Sequence, residues 1–183
     1  MLFKAGNYDL DLIDEPTYTP SSADHVRSSA REYDFTDAAY RPSSRHGLVL
    51  REDGVVRQSC ILLAGGGAGG MHEHSIAIVD KTCFLAVGDT LCWLMLPSFE
   101  LRWHRQVDHA TRFGVYFSAN HYCLISHGEL EIARVSLSGE VVWSCSGADI
   151  FSEGIKVFPD YVEAADFNKN IYRIHITNGT SMK

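Results

Sequence analysis

The chain repeats itself at a spacing of 40 residues. Cys83, Gly88, Ser98, Glu100 and Trp103 recur without a gap as Cys123, Gly128, Ser138, Glu140 and Trp143. The same step carries Gly114 onto Gly154 and Gly139 onto Gly179. Apolar positions between these identities also agree: Phe84 with Leu124, Leu85 with Ile125, Leu101 with Val141. A β-unit this short cannot bury both faces of its own sheet, so the copies must stack on one another. A period of about 40 with strand-like content predicts a radial array of small sheets.

The turns place the strands. Gly88-Asp89 and Gly128-Glu129 separate the second and third strands of successive copies. Pro97-Ser98, Ser138-Gly139 and Asn178-Gly179 stand at equivalent corners, where a fixed or positive φ is needed. One copy has strands at 75–79, 82–87, 90–96 and 99–104. The next has them at 115–117, 122–126, 130–137 and 140–145. A third begins at 155–158 and continues through 161–165 and 171–177. Its counterpart of Trp143 falls at Lys183, so a fourth strand is expected to be missing there.

Before the repeat, residues 46–64 read as a hairpin. Asp53-Gly54 suits a tight type I′ turn between two apolar runs. Aligned with an insertion, this hairpin forms a degenerate earlier copy over residues 35–64. Residues 8–13 alternate apolar and acidic side chains and read as a half-buried strand. That strand is expected to complete the last sheet and protect its edge. Residues 22–32 read as loop or one weak helix capped by Ser22. Residues 64–70 carry too many glycines for a packed element and read as a loop.

The segments CFLAVGDTLCWLMLPSFELRW and CLISHGELEIARVSLSGEVVW resemble the blade repeats of quinoprotein-type and WD-like β-propellers. The resemblance covers residues 75–177 and implies one all-β domain over residues 1–183. That domain would be built from repeated four-stranded antiparallel sheets as a small or incomplete propeller. A β-sandwich of the same hairpins is the alternative. The resemblance implies no activity.

Composition excludes several function classes. The formal net charge of −7, with no run of more than two basic residues, argues against nucleic-acid binding, which needs clustered cations. No stretch reaches the ~18 apolar residues of a membrane span. Asp9, Asp11 and Asp14 interrupt any leader-like pattern, so a cytoplasmic location is expected. The five cysteines form no C-x-x-C, which suits reduced thiols, each packed as a small hydrophobe.

Three loops at comparable places in successive copies carry the candidate site residues. The first runs from the glycine-rich stretch into His72, Glu73 and His74. Were His74 to open a strand, His72 and His74 would share a face and could hold a divalent metal. The spacing Gly66-x5-His72-x-His74 resembles half of a cupin motif, but the acidic ligand and the second half are absent. A surface loop with histidines bonded to backbone is the competing reading. No Lys follows the glycines as a P-loop requires. The second loop holds Asp108, His109 and Arg112. A separate candidate is His127, in a strand turn where its sister copy has Val87. The third loop holds Asp149 and Phe151, and Phe151 fits either an exposed contact tip or inter-sheet packing. The reading is a non-enzymatic module that binds another protein through these loops, with no cofactor. A metal-dependent enzyme using His72 and His74 is the alternative, and a bacterial immunity or accessory protein a second one. An incomplete ring can complete itself by dimerising, so a homodimer also fits.

Overall fold

The computed structural model describes residues 1–20, 29–37, 41–67 and 69–182. It is nearly all β, with one 3₁₀ turn and seventeen strands among the described residues. Four open sheets follow one another along the chain.

The first sheet has the order β1-β2-β4-β5-β3. Its strands are β1 (Leu2–Ala5), β2 (Tyr8–Asp14), β3 (Arg31–Asp34), β4 (Ser44–Glu52) and β5 (Val55–Ala64). The expected hairpin is β4–β5. Asp53 and Gly54 take φ of +51° and +77°, the conformation a type I′ turn demands. The alternating segment is a strand, but it is not donated to the last sheet. It pairs antiparallel with β4, Leu10 opposite Leu50 and Leu12 opposite Leu48, which puts all four leucines on one face. Part of the expected loop or weak helix is instead β3, which runs parallel to β5 with Tyr33 opposite Leu62. Ser22 and the rest of 21–28 lie outside the described residues.

The second sheet is β6 (Ile76–Val79), β7 (Thr82–Val87), β8 (Thr90–Met95) and β9 (Glu100–Gln106), in that order. The third is β10 (Arg112–Ser118), β11 (Cys123–Gly128), β12 (Glu131–Ser136) and β13 (Val141–Ser146). The fourth is β14 (Ile155–Val157), β15 (Tyr161–Ala165), β16 (Ile171–His175) and β17 (Ser181–Met182). Its outer strand is therefore its own short β17, and the expected gap is filled locally.

Three hydrophobic clusters join successive sheets. Leu10, Leu12, Leu48, Leu50, Cys60 and Leu62 meet Cys83, Leu85, Val87 and Leu94. Phe84, Ala86 and Leu91 meet Val115, Leu124, Ala133 and Val135. Cys123, Ile125 and Ile132 meet Val162, Ala164 and Ile174. Adjacent residues of β7 thus serve opposite faces, as the two-residue period of a strand requires. This is why β7 and β11 are buried nearly throughout: both of their faces are covered. The far faces of the end sheets carry ion pairs, Asp11–Arg51 (3.2 Å) and Glu163–Arg173 (3.0 Å). Charged end faces keep a stack of repeats in water.

The 40-residue identity has a physical basis in the two indoles. Trp103 Nε1 donates to the Leu137 carbonyl (2.9 Å), and its ring lies where a Cβ on Gly139 would come within 2.7 Å of Cδ2. Trp143 Nε1 donates to the Ile176 carbonyl (2.8 Å), and its ring lies 2.8 Å from the equivalent point at Gly179. Both glycines have positive φ, +87° and +72°. Each outer-strand tryptophan is thus seated on the corner glycine of the next sheet.

Candidate functional site

The loops that lead into the first strands of the repeated sheets meet turns of the neighbouring sheet. Asp89 N donates to the Gly65 carbonyl (3.1 Å), and Thr111 Oγ1 donates to the Gly66 carbonyl (3.0 Å). Ser43 Oγ and Ser44 Oγ both donate to the Gly67 carbonyl (2.9 Å each). In the next copy, Glu129 N donates to the Thr111 carbonyl (2.8 Å) and Phe151 N to the Glu129 carbonyl (2.7 Å). A chain of backbone contacts therefore runs from the glycine-rich loop through Asp108–Arg112 to Phe151. The three loops expected at comparable places in successive copies are joined through it.

The candidate residues fall into different environments. His72 is half-buried and caps the 3₁₀ turn Glu73–Ser75, which replaces the expected start of a strand. His72 Nδ1 accepts from His74 N (3.2 Å), so that lone pair is already used. His74 is exposed, 3.6 Å from the Glu73 carboxylate, and its ring packs on Tyr116. His74 thus does not open a strand, although the His72 and His74 rings still meet edge-on with centroids 6.0 Å apart. Among the described residues, no three His, Cys, Asp or Glu side chains gather around one point where a metal ion would sit.

Asp108 is buried and locks the turn of the next sheet. Oδ1 accepts from Ala110 N (3.0 Å), and Oδ2 accepts from Leu130 N (2.9 Å) and Glu131 N (3.0 Å). A Cβ on Gly128 would overlap this carboxylate, which accounts for the repeated glycine. Asp149 is exposed and does similar work one copy on, accepting from Ile150 N and Asn168 Nδ2 (2.8 Å each). Phe151 is not a contact tip. It is fully buried between the third and fourth sheets, edge-on to Tyr172 at 5.3 Å.

His127 and Arg112 form a buried polar centre. Burial lowers the His127 pKa to about 4, opposed in part by the Phe151 carbonyl at 2.9 Å from Nε2. The imidazole is neutral at pH 7, so Nε2–H is the donor in that bond. The Arg112 guanidinium is also buried, and desolvation lowers its pKa to about 10 against the pull of Asp108, Asp89 and Glu131. Its Nε donates to the Asp89 carbonyl (3.2 Å), while Nη1 and Nη2 meet no partner among the described residues.

His109 lies elsewhere, exposed on the wall of a cleft of about 720 Å³. Sequence reasoning did not find this cleft. Gly65, Gly66 and Gly67 line it, with Phe35, Arg41, Asp89, His104, Arg105 and Gln106. Phe35 stacks on the His104 ring (4.7 Å, 17°) to make an aromatic wall. One signal was present in the chain: His104, Arg105 and Gln106 stand where the next copy has Ser144, Cys145 and Ser146. Bulky polar residues had replaced small ones at the end of an outer strand.

No family model matches the sequence. No curated protein matches it either. Solved structures resemble it in fold. One is the computationally designed Ika4 protein, with a TM-score of 0.53 and 12% identity, covering 63% of this chain and 74% of that one. Another is the computationally designed Ika8 protein, with a TM-score of 0.56 and 11% identity, covering 76% of this chain and 44% of that one. The chain thus spans less than half the length of Ika8. At such identities the likeness concerns the fold alone.

Proposed function

We propose that the protein is a non-enzymatic binding module. In this reading it is a small propeller-like stack of WD-like blade repeats that holds another protein through the loops at one rim. The cleft at Gly65, Gly66 and Gly67 is the seat of that contact, and it is the observation that carries the reading. Its walls come from two sheets that the hydrophobic core holds rigidly together. Recognition loops on a rigid β scaffold are a recurrent way to bind. The loop is held by its carbonyls, each bonded to a neighbouring segment, so its shape is set before a partner arrives. Five unpaired thiols, four of them buried, suit a reducing compartment such as the cytoplasm.

The test is to fill the cleft. Gly65 does not need a positive φ, and a Cβ there meets only Asp89 Oδ2 at 3.7 Å. Gly65→Tyr therefore puts a ring in the cleft without backbone strain. Gly70→Tyr is the matched control, since nothing lies within 4 Å of a Cβ at Gly70 and it does not line the cleft. Crosslinking in extracts of the native host should recover a partner with the wild-type protein and with Gly70→Tyr. The same partner should be lost with Gly65→Tyr at an unchanged melting temperature. Undiminished capture by Gly65→Tyr would remove the cleft from the interface.

A further inference from the structure

We infer that the outer edge of the third sheet, strand β13, takes up an extended peptide segment of another protein as an added strand. That segment is uncharged and β-branched in its middle and basic at both ends. The surface is separate from the cleft. An edge strand turns unpaired N–H and C=O groups outward, and it is a template for a further strand unless something blocks it. Three of the four sheets block theirs. The uncharged run at residues 60–63 of β5 is covered by β3, which pairs with it from Arg31 to Asp34. Strand β9 carries Glu100, Arg102 and Arg105. The Tyr33 hydroxyl also caps its start, donating to the Phe99 carbonyl (2.9 Å) and accepting from Leu101 N (3.3 Å). Strand β17 is only two residues long.

Strand β13 has none of these protections. Its sequence, Val-Val-Trp-Ser-Cys-Ser, holds no charge and no proline. Val141 and Val142 are 42% and 48% exposed. Beyond its ladder with β12, its backbone takes one hydrogen bond among the described residues, from Cys145 Sγ to the Ser146 carbonyl (3.7 Å). A register shift sets a bulge at Val142, and residues 143–146 then run in regular register with β12. That run is as long as the stretch of β5 that β3 covers, four residues in each case. The Trp143 indole, held on the Ile176 carbonyl, fixes the strand in place. The edge is therefore formed before a ligand arrives, which lowers the cost of ordering on binding.

Charge and area identify the occupant. Glu140 precedes the strand, and Glu131 lies opposite Ser146 at its far end. Neither carboxylate forms an ion pair among the described residues. Arg134 and Arg105 reach this part of the sheet but bond carbonyls instead, Arg134 those of Ile176 and Thr177 and Arg105 that of Gly139. Acids at both ends of an uncharged strand suit basic residues at both ends of the added one. A second copy of the chain fits less well. Two chains of net charge −7 repel, and one pair of short strands falls short of the ~1,200 Å² of a stable interface. An extended peptide escapes that repulsion and takes its affinity from main-chain hydrogen bonds.

The experiment is an amide chemical-shift titration of the purified full chain with three synthetic peptides. The first carries Val-Thr-Val-Thr-Val between paired lysines. The second has glutamates in place of the lysines. The third is the lysine peptide with its central backbone nitrogens methylated. The lysine peptide should shift the amides of Trp143, Ser144, Cys145 and Ser146 with saturation, slow hydrogen exchange along β13 and leave β9 unmoved. The glutamate peptide should bind about fivefold more weakly or worse, and the methylated peptide should not bind. Val142→Lys combined with Ser144→Lys gives β13 a charged edge like that of β9 and should weaken the lysine peptide by about fivefold or more. Both positions are exposed, and a melting curve checks the fold. Gly65→Tyr should bind the lysine peptide as wild type. No saturable shift along β13, undiminished binding by the double-lysine variant, or equal binding by the methylated peptide overturns the inference. Equal binding by the glutamate peptide overturns the basic ends assigned to the segment. Loss of binding in Gly65→Tyr would move the site to the cleft and overturn it. Shifts along β13 that depend on protein concentration without peptide overturn it too, by giving the edge to a second copy.

Discussion

Substitution of Gly139 by alanine tests the stacking of one sheet on the next. Two costs combine at this position. A left-handed φ of +87° costs an alanine about 1–2 kcal/mol. The new methyl would also sit 2.7 Å from Trp103 Cδ2 and 3.0 Å from Cε2, and a rigid indole cannot fold away as a flexible chain can. Forced repacking of this kind costs about 1–3 kcal/mol. The expected total is about 2–5 kcal/mol, from the sum of these two terms. Gly54 isolates the first cost, since its φ is +77° and nothing lies within 4 Å of a Cβ there. Gly54→Ala should therefore lose only about 1–2 kcal/mol. Urea denaturation of both variants measures the difference, with the slope checked for constancy. A double-mutant cycle with Trp103→Ala identifies the cause. In that background the cost of Gly139→Ala should fall by about 1–3 kcal/mol, because the steric partner is gone. Equal losses at Gly139 and Gly54, or an undiminished loss in the Trp103→Ala background, would refute the wedge.

Further outcomes follow from the same geometry. Gly179→Ala should behave like Gly139→Ala, since its Cβ would lie 2.8 Å from Trp143 Cγ, and a urea midpoint near wild type would break the equivalence of the copies. His46 and His127 both have pKa values lowered to about 4, chiefly by burial. The unfolded chain binds protons to both before the folded protein does, so their contribution is fully present above pH 6.5 and is lost as pH falls towards 4. Each is worth a few kcal/mol at most. Replacing His127 by Gln should flatten the stability–pH slope in this window, and an unchanged slope would contradict its buried neutral state. Asp108→Ala leaves the amides of Ala110, Leu130 and Glu131 without their acceptor and should cost about 3–5 kcal/mol in a thermal or urea melt. Asp108→Asn should recover part of that loss.

The stacked sheets were legible because the repeat constrains geometry at every level. Trp103 and Trp143 share a register with glycines that must be glycines, and the spacing carries both into view together. The strands of the second and third sheets accordingly begin and end close to where the turn residues placed them. The first sheet was harder to read. Residues 8–13 announce a strand by alternation, but alternation is silent about the neighbour, and Leu10 and Leu12 pack with Leu48 and Leu50 instead of closing the last sheet. Arg31–Asp34 carries few apolar residues, and its pairing is parallel and non-local, so no local pattern revealed it. Ser181–Met182 is too short for any periodicity to register.

The site was legible only in outline. Glycine content marked the loop, and the repeat placed three loops at one rim. The aromatic wall of the cleft joins Phe35 to His104, and no spacing rule brings residues so far apart in the chain together. The pair at His72 and His74 follows strand periodicity on paper, but the Ser75 hydroxyl accepts from His72 N and closes a tight turn instead. For Phe151 the sequence left a contact tip and inter-sheet packing both open, and it is the second that holds: Asp149 secures the neighbouring turn while the ring goes inward. Charge in the sequence does not say which side chain covers which.

The stacked-copy architecture is tested most directly by the proton resonances of Gly139 and Gly179. An indole face this close shifts a glycine α-proton strongly upfield, and each should show a nuclear Overhauser contact to one tryptophan: Gly139 to Trp103 and Gly179 to Trp143. Upfield α-protons at both glycines with those contacts are the expected result. Ordinary glycine shifts at either position, or contacts to a different ring, would contradict the stacking of one copy upon the next.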